Sequence, residues 1–270
     1  MAAAVLSFPA ESLAQIFDED YQDRSNGLDV TGQLGLMSDR MFRGQNLYNG
    51  TSVQPQVRSS FKLGEGRIHS RLFGQIGAEG SSPGDPNRAP YEVTNEDGTT
   101  EQVVPTQEGF NELDFELGYL LDFSPAKLDF GHRMYFYSES NERLQDSKEF
   151  YAEINFDVPF YPYIGMAYDY DAFDGTFYNL GARYPVALGL TDERSILIPF
   201  IELGFSSGLD NGDHPIYDGS GLMYVDLGTR SQLYMTKTIS VEPEVWYNFA
   251  VDDATSNELT FGVNVVSEFK

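Results

Sequence analysis

The chain contains no cysteine, which excludes a disulfide scaffold and any zinc site built from thiolates. Positive charge is scarce as well: 17 Lys and Arg stand against 42 Asp and Glu, a formal charge of −25 over 270 residues. A protein that grips a phosphate backbone displaces counterions with a basic face, so nucleic acid is excluded as a partner. No stretch approaches the roughly 18 consecutive apolar residues of a spanning helix. That absence says nothing of strands, because a barrel strand in a membrane is apolar on one face only and passes a hydropathy scan unseen. Catalytic signatures are missing too. There is no G-x-S-x-G elbow, H-E-x-x-H pair, P-loop or Gly-rich dinucleotide turn, and His69, His132 and His214 lie far apart in the chain. The sequence therefore calls for no cofactor, no metal centre and no catalytic residue, and reads as a non-enzyme.

What is abundant is aromatic side chains and glycine: Phe 20, Tyr 17 and Gly 26. Together they favour strands joined by tight turns. The strongest pattern is alternation of period two, which sends successive side chains to opposite faces of a strand. In Glu112 to Phe123 the odd positions Leu113, Phe115, Leu117, Tyr119, Leu121 and Phe123 are apolar, while Glu112, Asp114, Glu116 and Asp122 fall on the other face. Phe150, Ala152, Ile154, Phe156 and Val158 repeat this against Glu149, Glu153 and Asn155, and Leu259, Phe261, Val263, Val265 and Phe269 form a last apolar row.

Such runs predict twelve strands, near 28–38, 51–63, 67–78, 111–123, 126–138, 148–158, 160–170, 175–185, 196–206, 221–231, 238–249 and 256–269. Most exceed the ~5–6 residues of an ordinary strand and match the ~9–11 of a tilted membrane strand. The connections alternate between long and short. Residues 39–50 and 79–110 read as long loops, while Gly64-Glu65-Gly66 and Ser124-Pro125 are tight. Short turns on one side, long loops on the other and an even strand count describe an up-and-down transmembrane β-barrel. Residues 79–110, with Pro83, Pro86, Pro90 and Pro105, hold little to bury and read as a weakly ordered loop. Residues 1–14 read as the tail of an export signal, apolar from Ala2 to Phe8 and with small residues Ser12 and Ala14 before the cut. Residues 15–270 then form a single barrel domain.

If the apolar face meets lipid, the other face lines the lumen, and parity names the candidates. Basic ones come from Arg58, Lys62, Arg71, Arg133 and Arg183, and acidic ones from Glu112, Asp114, Glu116, Glu149, Glu153, Glu202, Asp226, Glu242 and Glu244, with His69 and Asp157 read onto the same face. Opposed walls of this kind set a transverse field that orients polar solutes in a water-filled pore. The alternative is that the charges pair across the lumen and plug it. Tyr135 and Tyr137 also point inward by parity, whereas Tyr161, Tyr163, Tyr168, Tyr170, Tyr184, Trp246, Tyr247 and Phe249 read as an aromatic girdle at the membrane boundary. Two acidic loops, Asp169/Asp171/Asp174 and Asp210/Asn211/Asp213/Asp218, lack calcium-loop spacing and read as solvated, with divalent bridging to lipopolysaccharide as the other reading.

One resemblance adds to this. Leu34-Gly35-Leu36-Met37-Ser38-Asp39-Arg40-Met41-Phe42-Arg43-Gly44, followed by Gln54-Pro55-Gln56, resembles the opening hairpin of TorF-type porins. Asn111 to Tyr119, Leu128-Asp129-Phe130-Gly131 and Glu149-Phe150-Tyr151-Ala152-Glu153 are similar to that family's central hairpins, so the likeness spans residues 28–170. It implies an outer-membrane barrel acting as a porin. The expectation is thus a diffusion channel for small hydrophilic solutes with cation preference, in contact with outer-membrane lipid and lipopolysaccharide. The alternatives are a structural barrel with a blocked lumen, self-associating or docking another envelope protein through loop 79–110 or segment 186–195, and a soluble acidic carbohydrate-binding sandwich.

Overall fold

The computed structural model describes residues 27–78, 91–94, 100–103, 109–137, 146–190, 192, 194–208, 220–253 and 255–269. The export-signal reading of residues 1–14 lies outside them. Alternating sequence becomes long strands: β1 (Leu28–Phe42), β2 (Gln45–Leu63), β3 (Gly66–Gly77), a short hairpin β4 (Tyr91–Thr94) and β5 (Thr100–Val103), then β6 (Gly109–Asp122), β7 (Ala126–Tyr137), β8 (Ser147–Phe156), β9 (Tyr163–Asp169), β10 (Gly175–Arg183), a two-residue β11 (Val186–Ala187), β12 (Ile196–Ser207), β13 (Gly221–Tyr234), β14 (Ile239–Ala250) and β15 (Glu258–Phe269). Among the described residues there is no helix.

Every neighbouring pair is antiparallel, and β1 is hydrogen-bonded to β15 while β10 pairs with β12. Those two ladders close twelve long strands into one barrel, with β11 appended to β12. Closure removes the unpaired edges that an open sheet would leave in an apolar medium. The outward face carries Leu34, Leu72, Leu117, Phe150, Ile164, Ile201, Leu227, Leu259 and Val265, all substantially exposed. The inward face carries the charged side chains, many of them buried. This inside-out distribution is that of a membrane barrel, and it overturns the soluble sandwich, whose apolar rows would face a core.

Two expected loops contain structure. Residues 39–50 continue β1 and β2 into a hairpin closed by Arg43 and Gly44, both at positive φ (46° and 78°), the pattern of a type I′ turn. Within loop 79–110, β4 and β5 pair with each other.

The β1–β2 hairpin outgrows the wall. The β1–β15 ladder stops at Met37 opposite Gly262, and the β2–β3 ladder starts at Ser52 opposite Gly77. Beyond those points residues 38–51 pair only with each other. Register shifts between Met37 and Asp39 and between Arg40 and Met41 mark bulges, which bend a strand and re-aim its side chains. Here they turn the arm inward, and Met41, Phe42, Arg43 and Tyr48 end up buried.

Candidate pore lining

The interior is assembled strand by strand from the parity of the wall. Even positions of β6 and odd positions of β8 face inward, so Glu112, Asp114 and Glu116 share the interior with Glu149 and Glu153. Arg71 on β3, Arg133 on β7 and Arg183 on β10 face it as well, and all three are buried. Arg58 is half-buried with its guanidinium 3.4 Å from Gln56 Oε1, and Lys62 is exposed at the end of β2. On the other side Glu202, Asp226, Glu242 and Glu244 line β12 to β14. Each of the fourteen sequence candidates therefore lies on the inward parity of its strand.

These groups are knitted together. Glu116 accepts from Arg133 Nε at 2.6 Å and lies 3.5 Å from Arg71 Nη2. Arg133 Nη1 in turn donates to Glu149 at 3.2 Å. Glu149 also accepts from the Tyr135 hydroxyl at 2.7 Å, and the Arg133 guanidinium sits 3.8 Å from the Tyr151 ring centroid. The third partner of Glu149 comes from the arm: Arg43 Nη2 donates to its Oε2 at 2.8 Å. The resulting chain, Arg71–Glu116–Arg133–Glu149–Arg43, runs from β3 to β8. Buried ionised groups persist only when paired in this manner, because each unpaired charge would carry its full desolvation cost.

A second cluster centres on Glu202, which accepts from Tyr224 at 2.7 Å, Tyr163 at 2.8 Å and Asn179 at 3.2 Å. Arg183 stacks 4.0 Å above the Tyr163 ring and approaches Glu153 at 4.0 Å. A third joins Arg230 to Glu244 at 2.6 Å, Asn264 to Glu244 at 3.0 Å and Gln232 to Glu242 at 3.1 Å. Asn248 donates to Asp226 at 2.6 Å. Below the first cluster, His69 Nε2 lies 2.9 Å from Asp129 and Arg67 is paired with Asp29.

The arm reaches into this interior. Arg43 stacks between Phe42, 4.7 Å from its centroid, and Phe177 of β10 at 4.4 Å. Phe42 meets Tyr135 edge-on at 6.4 Å, and Phe177 stacks on Tyr224 of β13. Gly44 accepts a hydrogen bond from the Ser256 amide at 2.9 Å, and a Cβ on Gly44 would lie 2.6 Å from the Tyr224 ring. The tip of the first hairpin thus crosses from β1 and β2 to strands on other parts of the wall.

Sequence reading missed three inward cations. Arg67 and Arg230 share the parity of Arg71 and Asp226 and were legible from it. Arg43 was not, because the bulges break the alternation just before it. Two of the expected girdle residues are corrected: Tyr163 and Trp246 turn inward, Tyr163 to Glu202 and Trp246 to a small core with Met37, Met41 and Phe200. Both sit on the inward parity of their strands, and position near a strand end does not override the two-residue repeat. His132 does face outward, where Tyr170 lies 2.6 Å from its Nε2 and Phe150 packs beside both. Asp171 pairs with Lys148 and Asp169 accepts from Ser147, while residues 210–218 lie outside the described residues. Among the described residues no group of three acidic or histidine side chains is arranged to hold a metal.

No family model and no curated protein matches the sequence. Solved structures do match in fold. LpxR from Salmonella typhimurium aligns with a TM-score of 0.52 at 8% identity, over 88% of this chain and 99% of that one. An outer membrane channel from Pseudomonas putida F1 aligns with a TM-score of 0.51 at 12% identity, over 90% and 94% of the two chains. A KdgM porin in complex with disordered oligogalacturonate aligns more loosely, with a TM-score of 0.47 at 11% identity, over 90% and 99%. What is shared is the architecture of an outer-membrane β-barrel.

Proposed function

We propose that this outer-membrane-type barrel is a channel for small hydrophilic solutes and ions with a preference for cations. The observation that carries the reading is the continuous ionised lining inside an apolar shell, since a barrel with only a structural role has no use for fourteen charged positions on its inner parity. Acidic groups outnumber basic ones there as in the whole chain, and that excess favours cations. Kinship with TorF-type porins rests on the opening and central hairpins and agrees with this role. The loops at the end opposite the chain termini then face outward, toward lipopolysaccharide, and no catalytic step is assigned to the chain.

The test is single-channel recording of the refolded, heat-modifiable protein in a planar bilayer under a salt gradient. Discrete steps with a cation-selective reversal potential are expected. Exchanging Glu112, Asp114 and Glu116 together for Gln should move that potential toward anions. Folded, inserted protein that passes no current would overturn the reading and point to a filled barrel with a partner-binding role.

A further inference from the structure

The interior is lined by more than the wall, since Arg43 of the arm is buried within it. We propose that the β1–β2 arm is the selectivity element of the channel, with Arg43 as its specificity-determining residue; this rests on the channel reading above. Three observations support it. The arm leaves the wall's strand ladders at Met37 and Ser52, with bonds from Ala78 N to the Thr51 carbonyl and from Phe261 N to Ser38 Oγ just beyond them, so nothing in the strand ladders forces its tip to lie inside. It is held inside at its tip instead, by Arg43 on Glu149, by the ring of Phe177 and by the Gly44 carbonyl on the Ser256 amide. And Arg43 places a permanent positive charge beside Glu149, whose ion pair with the wall among the described residues is to Arg133.

The consequence is electrostatic. With Arg43 in place, the Glu149 carboxylate is shared between two guanidiniums and its field toward a passing ion is largely cancelled. Without Arg43 the carboxylate is half compensated, and the constriction becomes more attractive to cations and wider by the volume of an arginine. A unit charge about 4 Å from an ion's path shifts a monovalent cation and a monovalent anion by about 1 kcal/mol each even in water, in opposite directions, or roughly thirtyfold in their ratio. The guanidinium is a delocalised, permanently charged group, so this bias holds at any physiological pH.

Two variants and one cross-link test the proposal. Arg43→Ala should raise the cation-to-anion permeability ratio about thirtyfold. Replacing residues 38–51 with Asn-Gly, which closes a two-residue hairpin at Met37 and Ser52, should enlarge the single-channel step at least about twofold. The cross-link reads the arm's position independently of current. The Ser256 amide donates to the Gly44 carbonyl at 2.9 Å and the chain has no cysteine of its own, so Gly44→Cys with Ser256→Cys should be joined by a short bifunctional thiol reagent, visible as a shifted band on a gel. Wild-type conductance with an unchanged step and ratio in both variants overturns the proposal and leaves the channel reading standing. Absence of the cross-link in folded protein also overturns it, because the tip then lies elsewhere. Silence of wild type and both variants, with the cross-link formed, overturns the channel reading and the selectivity role together.

Discussion

Glu149 joins the arm to the wall, and its removal offers a direct measure of how dry the interior is. Its side chain is fully buried and holds Arg43 at 2.8 Å, Arg133 at 3.2 Å and Tyr135 at 2.7 Å. Glu149→Gln keeps the shape but deletes the charge, and its amide NH2 then faces a guanidinium. Each charge-assisted hydrogen bond is worth about 1.5–3 kcal/mol, and breaking a buried ion pair by removing one partner costs about 3–5 kcal/mol. Since Arg133 keeps Glu116, the stranded charge is chiefly that of Arg43, and we expect a loss of about 4 kcal/mol. With a urea slope of about 2–3 kcal/mol per molar, the midpoint of unfolding, followed by the mobility difference between folded and unfolded barrels on a gel, should fall by about 1.5–2 M. Adding Arg43→Met to Glu149→Gln should recover part of that loss, because the stranded cation is gone, with a coupling of about 1–3 kcal/mol. A loss below about 1 kcal/mol, the figure for a solvated surface pair, would refute the reasoning and show that water screens these charges.

Other perturbations probe other parts of the barrel. Leu227 lies outward near the middle of β13, 54% exposed, so Leu227→Arg should cost about 2–4 kcal/mol in vesicles, checked by the same gel titration. Gly181→Ala would set a Cβ 2.2 Å from the Tyr163 ring and dislodge its bond to Glu202, an expected loss of about 1–3 kcal/mol; Gly189→Ala, with open space around it but φ +63°, should cost only about 1 kcal/mol, and equal midpoints would sink the packing argument. At the turn before β12, hydrogen bonds from Arg194 hold Asp192 below its ordinary carboxylate range. A depressed acid stabilises the folded state above its unfolded pKa and loses that contribution as pH falls through its folded one. Asp192→Asn should therefore lower the unfolding midpoint at pH 7 and make no difference in strong acid.

The twelve strands were legible because each must satisfy two media at once, apolar outside and polar within, and that demand writes a two-residue repeat into the chain. Boundaries agree most closely where the repeat is undisturbed, as in β7 and β12. The repeat also puts the fourteen charged candidates on the inward parity of their strands, from Arg58 to Glu244, and overreaches at Asp157, which is exposed just past the end of β8. What it could not convey was the arm. Two bulges put Met41, Phe42 and Arg43 all inside, so consecutive side chains share a destination and the alternation fades into what resembles a loop. Only the Arg43-Gly44 pair, suited to two positive φ angles, carried a local signal of the turn. Tyr163 and Trp246 show the converse failure: their parity was readable, but their place near strand ends suggested a girdle. Pairing partners across the interior, such as Arg43 with Glu149, 106 positions apart, are set by closure of the barrel and have no local trace at all.

The wall is not of even height. β6 and β13 run for 14 residues each, whereas β9 has seven and β10 nine. Seven residues span about 23 Å along a strand before any tilt, less than the ~25 Å apolar band such barrels present. A bilayer of uniform thickness cannot match both flanks. Beside β9 the lipid must thin, or the whole cylinder must lean toward its low side, each at a fraction of a kcal/mol per ångström of mismatch. Phe150, Phe160, Tyr168, Tyr170, Tyr178 and Tyr184 are exposed along that same flank, a row of rings suited to a boundary that dips. The protein therefore deforms its surroundings in one direction only, and the depression it leaves beside β9 is where a neighbour of similarly short span would settle with least distortion of the lipid.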